Sequence, residues 1–201
     1  MKKLKFKKNS DINTISYNFI ESINAKKLFI ENKYEIKNLL NIAKKIKIKL
    51  SKGGKIYFAG NGGSASDSIH ISTELISKLS KNRAPIPSGD LVSNISLISA
   101  ISNDFSYKNI FTRQIEANLT KKDIFFAITT SGNSNNIVEA LKLCKKKNIY
   151  SILLTGKSGG ISKKHANNSI CVPSNRTQTI QEVHILIGHC LCEILENSLY
   201  E

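Results

Sequence analysis

The residues of this chain best suited to chemistry are two histidines, a glutamate and a glutamine, on two segments far apart in sequence. His70 and Glu74 stand at i and i+4 of a stretch that reads as a helix, with Ser64 at its cap and its end near Lys78. An imidazole and a carboxylate therefore share one helix face. Gln181 and His189 lie two turns apart on the last helical stretch, about Ile180 to Asn197, and face broadly the same side. Imidazole nitrogens with carboxylate and amide oxygens make a set for a divalent transition ion, zinc first. Taken alone, His70 and Glu74 would be an ordinary surface pair; the second helix is what suggests a site. His184 falls about 140° from His189 on a helical wheel and is expected to stay out of it.

A second cluster is built for anions. Ile56 to Ala59 is a short apolar run suited to a buried parallel strand, and it breaks at Gly60-Asn61-Gly62-Gly63. Glycines there permit tight turns and close approach of a ligand to the backbone. Strand, glycine loop and helix N-terminus together offer free N–H groups and the positive end of the helix dipole. The pattern recurs at Asp123 to Ile128, a strand, followed by the polar loop Thr129-Thr130-Ser131-Gly132-Asn133-Ser134 and a helix from Asn135 to Lys147. Hydroxyls and backbone N–H groups can hold a phosphate without a P-loop lysine; the same residues also serve as a capping cluster. Two such loops at strand carboxyl ends in one parallel sheet are where ligands bind in open α/β folds.

Two alternatives for these loops fail. Gly60-x-Gly62-x-x-Ala65 satisfies a dinucleotide fingerprint, but Lys81 to Ser88 holds none of the acidic residues expected near the end of the next strand. Gly156-Lys157-Ser158 resembles the end of a phosphate loop, yet the leading glycine is replaced by Ser151, which leaves a turn after a strand.

The remaining elements are those needed to position these loops. Asp11 to about Asn32 is expected to be an amphipathic helix with Ile12, Ile15, Phe19, Ile20 and Ile23 on one side. A second apolar stripe runs through Ile36, Leu39, Leu40, Ala43, Ile46 and Leu50. These helices either cover the chain's own sheet or meet a partner subunit. Ala84 to Gly89 contains two prolines and is expected to give at most a short edge strand. Ser93 to Ser102 and Asn109 to Leu119 read as short helices, Ile149 to Thr155 and Ile170 to Val172 as further strands. Strands alternating with helices predict one α/β domain with a doubly wound parallel sheet, preceded by a helical extension over residues 1–52.

The chain of 201 residues carries 30 Lys and Arg against 15 acids, a net charge of +15. Residues 1–55 hold 15 lysines and 4 acids, so the excess belongs to the N-terminal region and reads as a solvated lysine face. Only Arg83, Arg113 and Arg176 could supply the usual base-reading side chain. No nucleic-acid partner is expected. Residues 1–10 read as a loose basic tail. They have no apolar segment behind them, and no run approaches the ~20 residues that cross a bilayer, so a cytoplasmic location without a membrane role is expected. Cys144, Cys171, Cys190 and Cys192 form no C-x-x-C pair and are expected to be reduced thiols.

Gly60-Asn61-Gly62-Gly63-Ser64, Asn103-Asp104-Phe105, Thr130 to Ser134, Leu154-Thr155-Gly156 and Ile180-Gln181-Glu182-Val183-His184 with His189 are together similar to the phosphoheptose isomerases, of the sugar isomerase (SIS) fold. The likeness covers nearly the whole chain. It implies a homotetramer with active sites shared between subunits, and conversion of sedoheptulose 7-phosphate into D-glycero-D-manno-heptose 7-phosphate for lipopolysaccharide or capsule. It implies one zinc per subunit on His70, Glu74, Gln181 and His189. It implies substrate contacts from Asn61, Gly62, Gly63, Ser64, Glu74, Asn103, Asp104, Thr129, Thr130, Ser131, Ser134 and Gln181. Glu74 is expected to be the base at carbon and His189 to move a proton at oxygen. Two positions depart from the pattern: Lys78 and Thr179 stand where the family usually has arginine, the side chain that clamps phosphate with two parallel bonds. The alternative is a non-catalytic member of the fold that binds a replication-initiation partner or senses a sugar phosphate.

Overall fold

A computed structural model describes residues 10–200. The basic tail expected over residues 1–10 lies outside them, save Ser10, which opens the first helix. Helices α1 (Ser10–Glu31) and α2 (Lys33–Leu50) precede a five-stranded parallel sheet. Its strands are β1 (Ile56–Gly60), β2 (Ser88–Asp90), β3 (Ile124–Thr129), β4 (Tyr150–Gly156) and β5 (Asn168–Val172). Between and after them run α3 (Gly63–Ile76), α4 (Ile95–Asp104), α5 (Ile110–Asn118), α6 (Asn135–Lys146) and α7 (Thr177–Tyr200). The strand order is β2-β1-β3-β4-β5. Register carries Gly60 opposite Ile128, Ile128 opposite Leu154 and Leu154 opposite Ile170, so the carboxyl ends of the four long strands finish level.

Alternation along the strands divides the core into two layers. Ile56, Phe58, Phe126, Ile128, Ile152, Leu154, Ile170 and Val172 pack under α2, α3 and α7. Ala59, Phe125, Ala127 and Leu153 pack under α4, α5 and α6. Both faces are thus covered, as a strand of unbroken apolar residues such as Ile124 to Ile128 requires. The prolines of the 84–90 segment leave β2 only three residues long, at the sheet edge against β1.

The order reverses between β1 and β3: the chain leaves β1 by α3 on one face and leaves β3 by α6 on the other. That is the switch-point crevice where ligands of open α/β sheets sit. Parallel α3 and α7 lie side by side on the first face. Gln181 stands so close to Gly63 that a Cβ on the glycine would strike its amide, and Gly188 makes room for Ile71.

The two N-terminal helices behave differently. Helix α2 buries Leu39, Ile42, Ala43 and Ile46 on the chain's own sheet. Helix α1 is fastened at one side, through Ala25, Phe29 and the hydrogen bond of Ser22 with Glu182 of α7. Its predicted apolar stripe faces outward: Ile12, Ile15, Phe19, Ile20 and Ile23 are all more than half exposed.

Candidate active site

The glycine loop after β1 leads into α3 with no side-chain cap. Gly62 occupies the N-cap with φ 56°, a left-handed conformation that glycine adopts without strain. This corrects the expectation that Ser64 caps the helix: Ser64 lies inside the first turn, buried beneath Gly60, where the loop closes too tightly for Gly60 to carry a side chain. No side chain caps the first turn of α3; Ser64 N–H and Ala65 N–H donate to the Asn61 and Gly62 carbonyls, each at 3.0 Å, and the positive end of the helix dipole faces the loop, where an anion is favoured.

The loop after β3 is held open by its neighbours. Gly132 has φ 68° and abuts the Gly159 carbonyl so closely that a Cβ would not fit, and Ser162 N–H donates to the Gly132 carbonyl at 2.9 Å. Thr129 Oγ1 and Ser134 Oγ lie 3.2 Å apart, and Ser131 Oγ accepts from Asn133 N–H at 3.1 Å. Ser134 sits at the N-cap of α6 yet makes no capping bond; beside its contact with Thr129 its hydroxyl keeps capacity for a ligand. An open pocket of about 550 Å³ between the two loops is lined by Asn61, Ser106, Tyr107, Lys108, Ser134, Asn135 and Asn136. Tyr107 and Lys108 come from a 3₁₀ turn, Tyr107–Asn109, and neither they nor Asn136 were singled out by the sequence.

Two turns along α3, the second cluster forms as its spacing predicts. His70 Nε2 lies 3.3 Å from Glu74 Oε1 and 3.1 Å from His189 Nε2. One donor atom from each of the three lies within 4.8 Å of every other. The cluster borders an open pocket of about 440 Å³ lined by Ser66, Ile69, His70, Thr73 and Glu74. Two nitrogens bound at 2.0–2.1 Å to a tetrahedral zinc stand about 3.3 Å apart, so the spacing and chemistry of the donor set fit that ion. Gln181 is not beside them. It rests against Gly63 at the other end of the shared α3–α7 seam, roughly two turns away. Asp67, one turn before His70, is half-buried with Oδ2 unpartnered; desolvation pushes its pKa up to about 6, against the pull of His70.

His184, as expected, takes no part. It is wholly buried on the opposite side of α7, and desolvation lowers its pKa to about 4, only partly offset by the Thr155 backbone. Asn103 and Asp104 end α4 bonded to each other at 2.9 Å, exposed, and line neither pocket. Of the two departures, Thr179 is buried and Lys78 is exposed just beyond α3. The arginine that does follow α3 is Arg83, and it is committed elsewhere. Its Nε donates to Glu196 at 2.9 Å, Nη1 to the Leu75 carbonyl at 2.8 Å and Nη2 to the Glu74 carbonyl at 2.9 Å. Desolvation works against the Glu196 anion, but its bonds from Leu79, Ser80 and Lys81 win and hold the carboxyl down at about 2. This buried pair ties the end of α7 to the end of α3 at the residue whose side chain joins the two histidines. A further cavity of about 660 Å³, between α1 and the loop before α7, shares no residue with either cluster.

A family model described as the SIS domain matches residues 18–156. The chain is 40% identical over 179 residues to the phosphoheptose isomerase of Aneurinibacillus thermoaerophilus, covering 89% of this chain and 90% of that one. It is 42% identical over 190 residues to phosphoheptose isomerase 2 of Campylobacter jejuni, covering 92% of each. Among solved structures, the phosphoheptose isomerase of Francisella tularensis superposes with TM-score 0.88 at 33% identity, over 94% of this chain and 99% of that one. That of Neisseria gonorrhoeae does so with TM-score 0.87 at 30% identity, over 94% and 100%.

Proposed function

This chain belongs to the SIS-domain family, among the phosphoheptose isomerases, and from that premise we propose that Glu74 and His189 carry out its isomerisation on a zinc-bearing site shared between subunits. The protein is an isomerase, and the reaction is sedoheptulose 7-phosphate to D-glycero-D-manno-heptose 7-phosphate. The observation that carries the residue assignment is the convergence of Glu74 with His70 and His189 on the open face of the α3–α7 seam.

Ketose–aldose exchange moves a proton from C1 to C2 through an enediol. Glu74, a carboxylate beside two imidazoles, takes the C1 proton and returns it at C2. His189 exchanges the hydroxyl proton between the O2 and O1 positions, so atoms and charge balance over the cycle. His70, Glu74 and His189 are the residues that would hold zinc; Gln181, expected as a fourth ligand, lies at the other end of the seam against Gly63 in the same chain. When bound, zinc polarises the carbonyl and stabilises negative charge on the adjacent oxygens. The phosphate rests at Gly62–Gly63 and the Thr129, Thr130, Ser131 and Ser134 loop, where two helix N-termini and hydroxyl donors converge.

Assembly into a homotetramer is supported by two features. Helix α1 leaves a continuous apolar stripe uncovered on the single chain. Gly63 and Glu74 are eleven residues apart, about 16 Å along α3. Bringing one chain's phosphate cradle to another's acid–base cluster would shorten that span. We also place the enzyme in the cytoplasm, supplying heptose for lipopolysaccharide or capsule; among the described residues no helix is long and apolar enough to cross a membrane. The test is turnover of sedoheptulose 7-phosphate by purified protein with its metal content measured on the same sample. Product formation with bound zinc is the expected result. No turnover by zinc-replete protein would overturn the reading in favour of a non-catalytic sugar-phosphate sensor.

A further inference from the structure

Asn61, expected to contact substrate, is already engaged within the chain. Its Nδ2 donates to Asn136 Oδ1 at 2.9 Å, and its Oδ1 accepts from Asn136 Nδ2 at 2.8 Å and from Tyr107 OH at 2.8 Å. Both lone pairs of the Asn61 oxygen are therefore used, and one N–H remains. Asn136 is only 2% exposed, and its own oxygen also accepts from Ile137 N–H at 2.9 Å. A reciprocal amide pair of this kind fixes both side chains in one orientation.

What the pair joins gives it meaning. Asn61 belongs to the loop after β1 and Asn136 to the first turn of α6, after β3. These are the two strands between which the sheet changes direction. The amide pair spans the switch-point crevice, and Tyr107 locks it from the 3₁₀ turn at the pocket wall. We propose that Asn136 is a positioning residue for the sugar-phosphate site, acting through Asn61 with Tyr107 to hold the two anion-binding loops at one spacing; this rests on the reading of those loops as the phosphate cradle. A ligand that must accept N–H groups from two helix ends at once is sensitive to that spacing, because hydrogen bonds weaken steeply with misalignment. The effect belongs to binding. The Glu74 cluster lies on the far part of α3 and is untouched by the pair.

The experiment compares wild type with Asn136→Ser, Tyr107→Phe, Asn61→Ala and the Asn61→Ala/Asn136→Ser double variant. Serine suits the first turn of a helix, so α6 should persist, and far-UV circular dichroism with thermal melting checks this. Two readouts are taken: kcat and KM for sedoheptulose 7-phosphate, and the Kd of inorganic phosphate by calorimetry. Asn136→Ser should raise both KM and the phosphate Kd by about tenfold while kcat stays within about twofold, the signature of lost binding without lost chemistry. Tyr107→Phe should move both in the same direction by less. The double variant should be no worse than Asn61→Ala alone, since the pair acts as a unit. Unchanged KM and Kd in Asn136→Ser would overturn the inference, as would effects that simply add in the double variant. Wild-type protein that binds phosphate but turns nothing over would defeat the isomerase reading and leave the phosphate titration to decide this one.

Discussion

His70 Nε2 and His189 Nε2 face each other at 3.1 Å across the seam between α3 and α7. Two unprotonated imidazole nitrogens repel at that distance, so the contact is favourable only with a proton or a cation between them. A divalent ion satisfies both nitrogens and the neighbouring Glu74 carboxylate together. Purified protein should contain about one zinc per chain, and a chelator should remove activity that added zinc restores. Replacing His70 by Ala should lower zinc content by at least tenfold, read by metal analysis independently of turnover. Full activity in metal-free protein would remove the metal from the reaction.

Helix α1 supplies the second prediction. Phe19 and Ile23 lie one turn apart and are 68% and 60% exposed, whereas α2 is part of the core and cannot be removed without unfolding the chain. Phe19→Glu with Ile23→Glu puts two charges on the stripe without touching a buried side chain. Sedimentation should show loss of the proposed tetramer with a native circular dichroism spectrum, and turnover should fall with it if the sites are shared. An active monomer would separate catalysis from assembly.

His184 supplies the third. Its folded-state pKa is lowered to about 4 from an ordinary 6.5, so between those values the unfolded chain binds more protons than the folded one. Stability should therefore fall as pH is lowered from about 6.5 to 4, by at most roughly 3 kcal/mol from this group. Glu196, with a folded pKa of about 2, extends the loss below pH 4.5, because its stabilisation is present above the unfolded carboxyl value and disappears as the folded group is protonated. Urea melts of wild type and His184→Gln across this range check the first part. The slope between pH 6.5 and 4 should flatten in the variant.

The layered α/β fold and the His70–Glu74 pair are legible in the sequence because periodicity and i,i+4 spacing are local properties of a helix; that His189 joins the pair and Gln181 does not depends on how α3 and α7 lie together. What the sequence could not show depended on how separate segments meet. Asn136 looked like one more polar residue at a helix start; its role exists only because β1 and β3 are neighbours in the sheet. Arg83 could not be distinguished from a phosphate-binding arginine until Glu196, 113 positions later, was seen to hold it. The outward face of α1 was equally ambiguous, since an apolar stripe has the same pattern whether it meets the chain's own sheet or another copy. Serine favours the cap position, so the sequence points to Ser64 there, whereas the φ 56° backbone requires glycine at 62.

The last prediction concerns Glu74, where acid–base and metal-binding roles meet in one carboxylate. Its backbone is fixed by Arg83 through the carbonyl bond at 2.9 Å, so a side-chain change should leave the helix end in place. Glu74→Gln keeps the size and one oxygen but removes the basic site. If this carboxylate takes the C1 proton, kcat should fall by ~10² to 10⁴ while substrate affinity largely survives. Loss of zinc would give the same fall, so metal content must be measured on the same preparation. Solvent deuterium appearing at C2 of the aldose product of wild type would report the enediol directly, and that exchange should drop in step with kcat in the variant. A metal-replete Glu74→Gln protein that retains its kcat and its exchange would exclude this carboxylate as the base and shift the search to the second carboxyl of the same helix, the half-buried Asp67.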